Sequence, residues 1–329
     1  MPYARTASLD TLVSGLVLTS PEKSSVDEAN SQETDVQLSG SSETLRKTPT
    51  SFDFSLFFAE IPRRRGQHLS DLEWLIGFAG GSGCFTVDNS RGYPCFKITQ
   101  SFEDVQVLYR ARGILGFGSV SVQDEGNNTW QLRVRKRTHV RAIISLFNGN
   151  IVLEKTRIRF ASFVTAFNAR YRENIALRLN GPRATLHSGW LAGFTDAEGC
   201  FTAAVLEKGS YGSYTVQARF VLAQQNAEKE LRELAPLLSG RVHTTRDGHN
   251  LTVNRLYLAD ALRYFRMYPL KTKKRIALQK FLYIYRLLRD YDAAKTRFTP
   301  RQLARVRHLT AQINKKSNER SEDKVRPTE

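Results

Sequence analysis

Two thirteen-residue stretches hold the residues best suited to chemistry: WLIGFAGGSGCFT from Trp74 and WLAGFTDAEGCFT from Trp190. They agree at eight positions. The second carries two carboxylates, Asp196 and Glu198, where the first has Gly80 and Ser82. Carboxylate oxygens are hard ligands that suit Mg2+. A serine hydroxyl is neutral and a poor ligand beside them. Metal chemistry at these positions would therefore be lopsided. The three cysteines, Cys84, Cys95 and Cys200, show no CxxC spacing, which argues against a zinc site. Their odd number and scatter fit buried thiols in a reducing compartment.

Each stretch needs an element to hold it. LSDLEWLIGFAGG has apolar residues at helical spacing; Ser70, before Asp71 and Glu73, is the expected N-cap, and Gly81 and Gly83 end the helix. Trp74, Phe78, Trp190 and Phe194 share that spacing and read as core. CFTVDN and YPCFKITQSF read as strands around the turn SRG. EDVQVLYRARGIL reads as a helix, and GSVSVQ and WQLRVRK as a hairpin around DEGNN. Helices at 138–148 and 151–171 close the unit, giving α-β-β-α-β-β-α with one helix extra.

The unit occurs twice. FKITQS (96–101) answers FVLAQQ (220–225), which aligns Gln100 with Gln224. GSV (118–120) answers GRV (240–242), and LRV (132–134) answers LTV (251–253). EKTRI (154–158) answers TKKRI (272–276), pairing Lys155 with Lys273 and Arg157 with Arg275. The offset drifts between 116 and 124, as loop insertions would make it. A period this long is a duplicated half-domain rather than a solenoid repeat.

The net charge is +17. Residues 1–62 hold four bases against nine acids, so the rest of the chain carries +22. Such a body points to a polyanionic partner, nucleic acid first. No membrane partner is expected, because no run of about eighteen apolar residues exists to span one. Residues 1–50 are rich in Ser, Thr, Asp and Glu and read as disordered, with an organelle-targeting role conceivable around Arg5. SFDFSLFFAEIP (51–62) is apolar enough to dock on something. Basic helices are expected at 268–289 and 299–316, either binding phosphate or presenting a solvated basic face.

These residues carry a resemblance. The two stretches resemble the LAGLIDADG signature of homing endonucleases, in the single-chain, two-repeat form with a degenerate first motif. The likeness covers roughly 68–315 and takes in FKITQ, the GSV hairpin, LFNGNI (146–151) and YPLKTKKR (268–275). It implies an α+β fold of two pseudo-symmetric half-domains, αββαββα. Each would have a curved antiparallel sheet forming a nucleic-acid-binding saddle. It implies that Gly77 and Gly193 let the two motif helices approach closely. It also implies an acid at each helix end, holding a divalent metal that activates water and stabilises charge in phosphodiester hydrolysis.

Carried over residue by residue, Glu198 is the catalytic, metal-binding acid of the second repeat, and Ser82 marks the lost acid of the first. With Gly80 opposite Asp196, the first repeat lacks both carboxylates, so Mg2+ binding would be weakened. The expected nucleic-acid contacts on the strands are Gln100, Arg133, Arg135, Arg137, Arg219, Gln224 and Arg241. Alternation puts Arg133, Arg135 and Arg137 in one row toward the groove. Lys155, Lys271, Lys273, Lys274 and Arg275 complete the set, with Lys155 and Lys273 candidates for the family's catalytic-site lysines.

The domain reading is an N-terminal extension (1–66), half-domain one (67–171), a linker (172–186), half-domain two (187–290) and a basic helical C-terminal extension (291–329). The missing acids favour a nucleic-acid-binding protein that has lost double-strand cleavage. It would act on organellar RNA, mitochondrial rather than chloroplast, in intron splicing or as part of an organellar ribosome. The N-terminal extension would dock on ribosomal or splicing proteins. The alternative is an active, intron-encoded LAGLIDADG homing DNA endonuclease that uses Mg2+. On either reading, affinity for nucleic acid should fall with salt, at about 0.7 to 0.9 in log–log slope per neutralised phosphate. A binding titration between about 50 and 200 mM salt checks this, and a flat response would rule out the electrostatic interface.

Overall fold

The computed structural model describes residues 51–64, 66–88, 92–178, 180–208, 213–294 and 297–314. The disorder and targeting expected of residues 1–50, and the tail after 314, lie outside the described residues. A short helix α1 (Ser55–Glu60) precedes the first unit. That unit runs α2 (Leu69–Ser82), β1 (Gly83–Val87), β2 (Pro94–Ser101), α3 (Val105–Leu115), β3 (Ser119–Asp124), β4 (Thr129–Val134), α4 (Arg137–Phe147) and α5 (Glu154–Tyr171). The second runs α6 (Trp190–Glu198), β5 (Gly199–Lys208), β6 (Ser213–Gln224), α7 (Glu228–Leu237), β7 (Arg241–Thr245), β8 (Gly248–Asn254), α8 (Ala259–Met267) and α9 (Lys274–Ala294). Helix α10 (Pro300–Asn314) follows.

The result is the expected α+β fold with two four-stranded antiparallel sheets, ordered β1-β2-β4-β3 and β5-β6-β8-β7. Their registers coincide under the sequence offsets. Gly83 pairs with Ile98 as Gly199 pairs with Leu222, and Ile98 with Leu132 as Leu222 with Leu251. Alternation sets the faces. Phe96, Ile98, Leu132 and Val134 are buried against the helices, as are Phe220, Leu222, Leu251 and Val253. Residues between them look the other way.

Three local expectations are corrected. Helix α2 has His68, not Ser70, at its N-cap, with no side-chain cap bond. It runs through Ser82, and Gly83 opens β1 in extended backbone. The apolar 51–62 stretch does not await a partner. Phe54 and Phe57 are buried in the protein's own core, and α1 lies on α4. Asn150 fastens it, accepting from the Asp53 N–H at 2.9 Å and donating to the Asp53 carbonyl at 2.6 Å. Asn148 likewise holds the linker, through the Ala176 carbonyl and the Arg178 N–H, both at 2.8 Å. The LFNGNI motif is thus a clasp for the segments flanking half-domain one.

The halves meet along α2 and α6, which run parallel. A Cβ on Gly77 would overlap the Trp190 carbonyl oxygen and fall 2.8 Å from the Phe194 nitrogen. A Cβ on Gly193 would do the same to Trp74 and fall 2.7 Å from the Phe78 nitrogen. Trp74 and Trp190 are buried, each stacked on its own helix's Phe78 or Phe194.

Asp196 crosses this interface. It accepts from Trp74 Nε1 (2.8 Å), the Lys271 N–H (2.7 Å), the Thr272 N–H (3.1 Å) and the Thr272 hydroxyl (2.6 Å). Burial pushes its carboxyl up, against the downward pull of those donors. At Gly80, the matching position, a Cβ would face the buried Leu153 side chain at 3.2 Å. An apolar contact has replaced the carboxylate network there.

Gly193→Ala should therefore cost about 3 kcal/mol, the upper range for overpacking. Gly113→Ala, on the exposed face of α3 with nothing near its would-be Cβ, should stabilise by about 0.5–1 kcal/mol. Urea denaturation of both measures the contrast. Asp196→Asn offers one acceptor to four donors and should cost at least about 2 kcal/mol by the same assay.

Candidate metal site and nucleic-acid interface

Glu198 ends α6 at the helix junction, half-buried. Among the described residues it makes no hydrogen bond or ion pair. A Cβ on Gly81 would come within 2.8 Å of its Oε1, so that glycine leaves the carboxylate its space. Two lysines sense its charge. Burial pushes the Lys155 and Lys274 ammonium groups down, and Glu198 partly offsets this in both. Lys155 comes from half-domain one, so the junction is built across the halves. Lys274 donates to the Thr195 (3.1 Å) and Ala197 (2.9 Å) carbonyls, capping the helix that presents Glu198. The matching residue of the first half is Thr156, which is buried and uncharged.

The other helix end is closed. Ser82 Oγ accepts from Gln100 Nε2 at 3.0 Å, so the Gln100 amide holds this helix end. Gln224, the residue that aligns with Gln100, accepts from the Gln225 N–H at 3.2 Å. It is buried, and its Nε2 lacks a partner. Asp196 is no metal ligand, because both its oxygens are engaged by four donors. Of the two missing acids, only the one at Ser82 bears on metal binding.

No cluster of three His, Cys, Asp or Glu occurs among the described residues. Mg2+ is commonly held by one or two carboxylates with substrate phosphate and water, so Glu198 fits one such ion shared with a phosphodiester.

The outward faces of the sheets carry the other candidates. Arg133 stands between Lys97 and Ser119 in a cross-strand row, and its Nε donates to Gln131. Exposed Arg219 pairs across strands with Thr202 and Asn254, and exposed Arg241 with Thr252. Arg135 is exposed just past the end of β4. Arg137 is not in the row: it opens α4 and pairs with Glu173 at 2.7 Å.

Lys271 is held inside, paired with Asp71 and lying over the Trp74 ring. Lys273 pairs with Glu103 and Asp104. Arg275 is exposed on α9. The face also holds Lys97, Thr99, Gln123 and Gln131, the last three hydrogen-bonded together. Their alternation with Phe96, Ile98 and Leu132 was the available signal. Cys84 and Cys200 are exposed, not buried as expected, because each follows a helix end on the outward face.

The model of the LAGLIDADG endonuclease family matches residues 75–167 and 191–285, one repeat each. The chain is 40% identical over 244 residues to probable intron-encoded endonuclease 4 of Neurospora crassa, covering 74% of this chain and 44% of that protein. It is 29% identical over 156 residues to probable intron-encoded endonuclease Cox1-I1b of Schizosaccharomyces pombe, 39% of this chain and 40% of that one. It thus spans less than half the length of these two relatives. Among solved structures, the LAGLIDADG meganuclease I-AabMI bound to uncleaved DNA superposes with a TM-score of 0.63 at 23% identity, over 74% of this chain and 99% of that one. Two matched repeats, joined by reciprocal glycines on paired motif helices, make this chain a member of the LAGLIDADG endonuclease family in its single-chain, two-repeat form.

Proposed function

We propose that the chain is an intron-encoded DNA endonuclease with a one-sided centre. Glu198 serves one strand of the duplex, and the Ser82 side leaves the other uncut or cut slowly. The carrying observation is the contrast at the helix junction. Glu198 is an unpaired carboxylate among the described residues, beside Lys155, whereas Ser82 is a neutral hydroxyl bonded to Gln100. A bound Mg2+ would supply Lewis-acid stabilisation of the phosphate and a lowered pKa for its water. The protein's own part is to hold Glu198 on the capped end of α6 and to set Lys155 near it.

The relatives' names and the DNA in the solved neighbour favour DNA and cleavage over the RNA-directed, non-cleaving reading. That reading leaned on two lost acids, and one of them belongs to a structural network. Intron-encoded relatives also support an organellar, mitochondrial setting. Among the described residues no helix is long and apolar enough to cross a membrane.

With Mg2+ and a pool of duplex targets, the wild type should accumulate nicked product well ahead of linear product, always on the same strand. Glu198→Gln should abolish nicking by at least a hundredfold while the melting temperature stays within about a degree, since no partner is lost. Ser82→Glu should raise the linear product. Equal, fast cutting of both strands would overturn the one-sided centre. No cutting by any variant, with tight binding to structured RNA, would restore the splicing or ribosomal reading.

A further inference from the structure

Helix α10 has no counterpart after the first half-domain. It lies against β5, the edge strand of the second sheet, and against α9. Its own Val306, Leu309 and Thr310 are buried, and its Arg307 reaches Glu207 on β5 at 2.8 Å. Its opposite side repeats at helical spacing as Arg301, Arg305, His308 and Gln312, all exposed. The helix contains no acidic residue. Arg301 and Arg305 make no ion pair among the described residues.

Charge alone would be met by a solvated face, but placement points further. The last turn of α10, through Gln312 and Ile313, shares a groove of about 790 Å3 with Thr202, Ala204, Gln217 and Arg219. Those four residues look outward from β5 and β6, on the face that carries the candidate nucleic-acid contacts. The groove's far wall includes Lys280, and among the described residues no carboxylate lines it. The basic stripe therefore runs from the sheet's edge onto that face, and Glu207, the carboxylate that touches the helix, is held by Arg307.

We propose that α10 is a phosphate-binding arm, which grips the DNA backbone where the duplex leaves the second sheet. The arm lengthens the footprint on that side alone. This rests on the reading of the chain as a DNA endonuclease, and it makes the bound complex asymmetric in length as well as in chemistry.

The test uses the full chain and a duplex selected by the wild type from a random pool. In Arg301→Gln/Arg305→Gln the log–log salt slope of binding should shrink by about 0.9 per lost contact. Hydroxyl-radical protection should recede by several base pairs on one side only, with the nick position unchanged. Arg266→Gln, an exposed charge on α8, is the control and should change neither. Glutamine keeps helix propensity, and an unchanged melt confirms the fold.

A double variant with the wild-type slope and footprint overturns the arm. A wild type that binds no duplex sinks the nuclease reading itself, a separate result. Loss of structured-RNA binding with duplex binding intact also overturns the proposal.

Discussion

Everything in this protein depends on two carbonyl groups that leave no room for a side chain. The Trp74 and Trp190 oxygens each sit where a Cβ of Gly193 or Gly77 would have to go. Backbone contact at that distance makes α2 and α6 a single rigid post. Both sheets begin at its end, since β1 and β5 start at the residue after each helix. The end of the post is therefore a place where residues from the two halves meet in fixed geometry. A two-sided substrate needs such a place. A single half-domain could present Glu198, but Lys155, which feels its charge, comes from the other half.

The duplication has diverged around that post in an orderly way. In the second half a buried carboxylate, Asp196, gathers two backbone N–H groups, a hydroxyl and an indole. In the first half Gly80 and Leu153 fill the same space without polar atoms. A buried carboxylate is stabilising only when each oxygen is satisfied, and an apolar replacement of matched shape can be nearly neutral. The freed Glu154 N–H is met instead by Glu230 from the opposite half, at 2.7 Å. A second cross-half contact runs the other way, one residue further along at the start of α9: the Lys273 N–H is met by Asp104 at 3.1 Å. Two cross-half carboxylates, Glu230 and Asp104, thus fasten the starts of α5 and α9.

Much of this was legible in the sequence. Two stretches with matching glycines, followed by matching alternation, sufficed for the repeat, the strand pairing and the motif helices, because period and spacing are local properties. Tertiary partnership was not. Arg137 continues the alternation of Arg133 and Arg135 in letters, but the strand ends at Val134 and the helix begins at Arg137. Lys271, Lys273 and Lys274 sit in a basic run that reads as phosphate-binding. Folding hands the first two to acids and the third to helix carbonyls. Gly80 and Ser82 look like two equal losses, and only the partners of Asp196 separate a structural position from a chemical one.

That separation changes what the serine means. Two carboxylates at about 4 Å repel by about 4 kcal/mol at an effective dielectric of 20, and a phosphodiester brought between them meets the same field. A centre of that kind needs its cations before it can accept the backbone. Here one carboxylate faces Lys155, with Lys274 bound to the helix carbonyls behind it. The Ser82 end adds no charge and has its hydroxyl engaged by Gln100. The junction is then close to neutral without metal, so the duplex can settle on the basic faces whether or not an ion is present. On the proposed reading, binding has been uncoupled from the metal while hydrolysis on one strand still depends on it. On the same reading, the substitution that weakens the nuclease on one side is the one that makes the junction tolerant of phosphate.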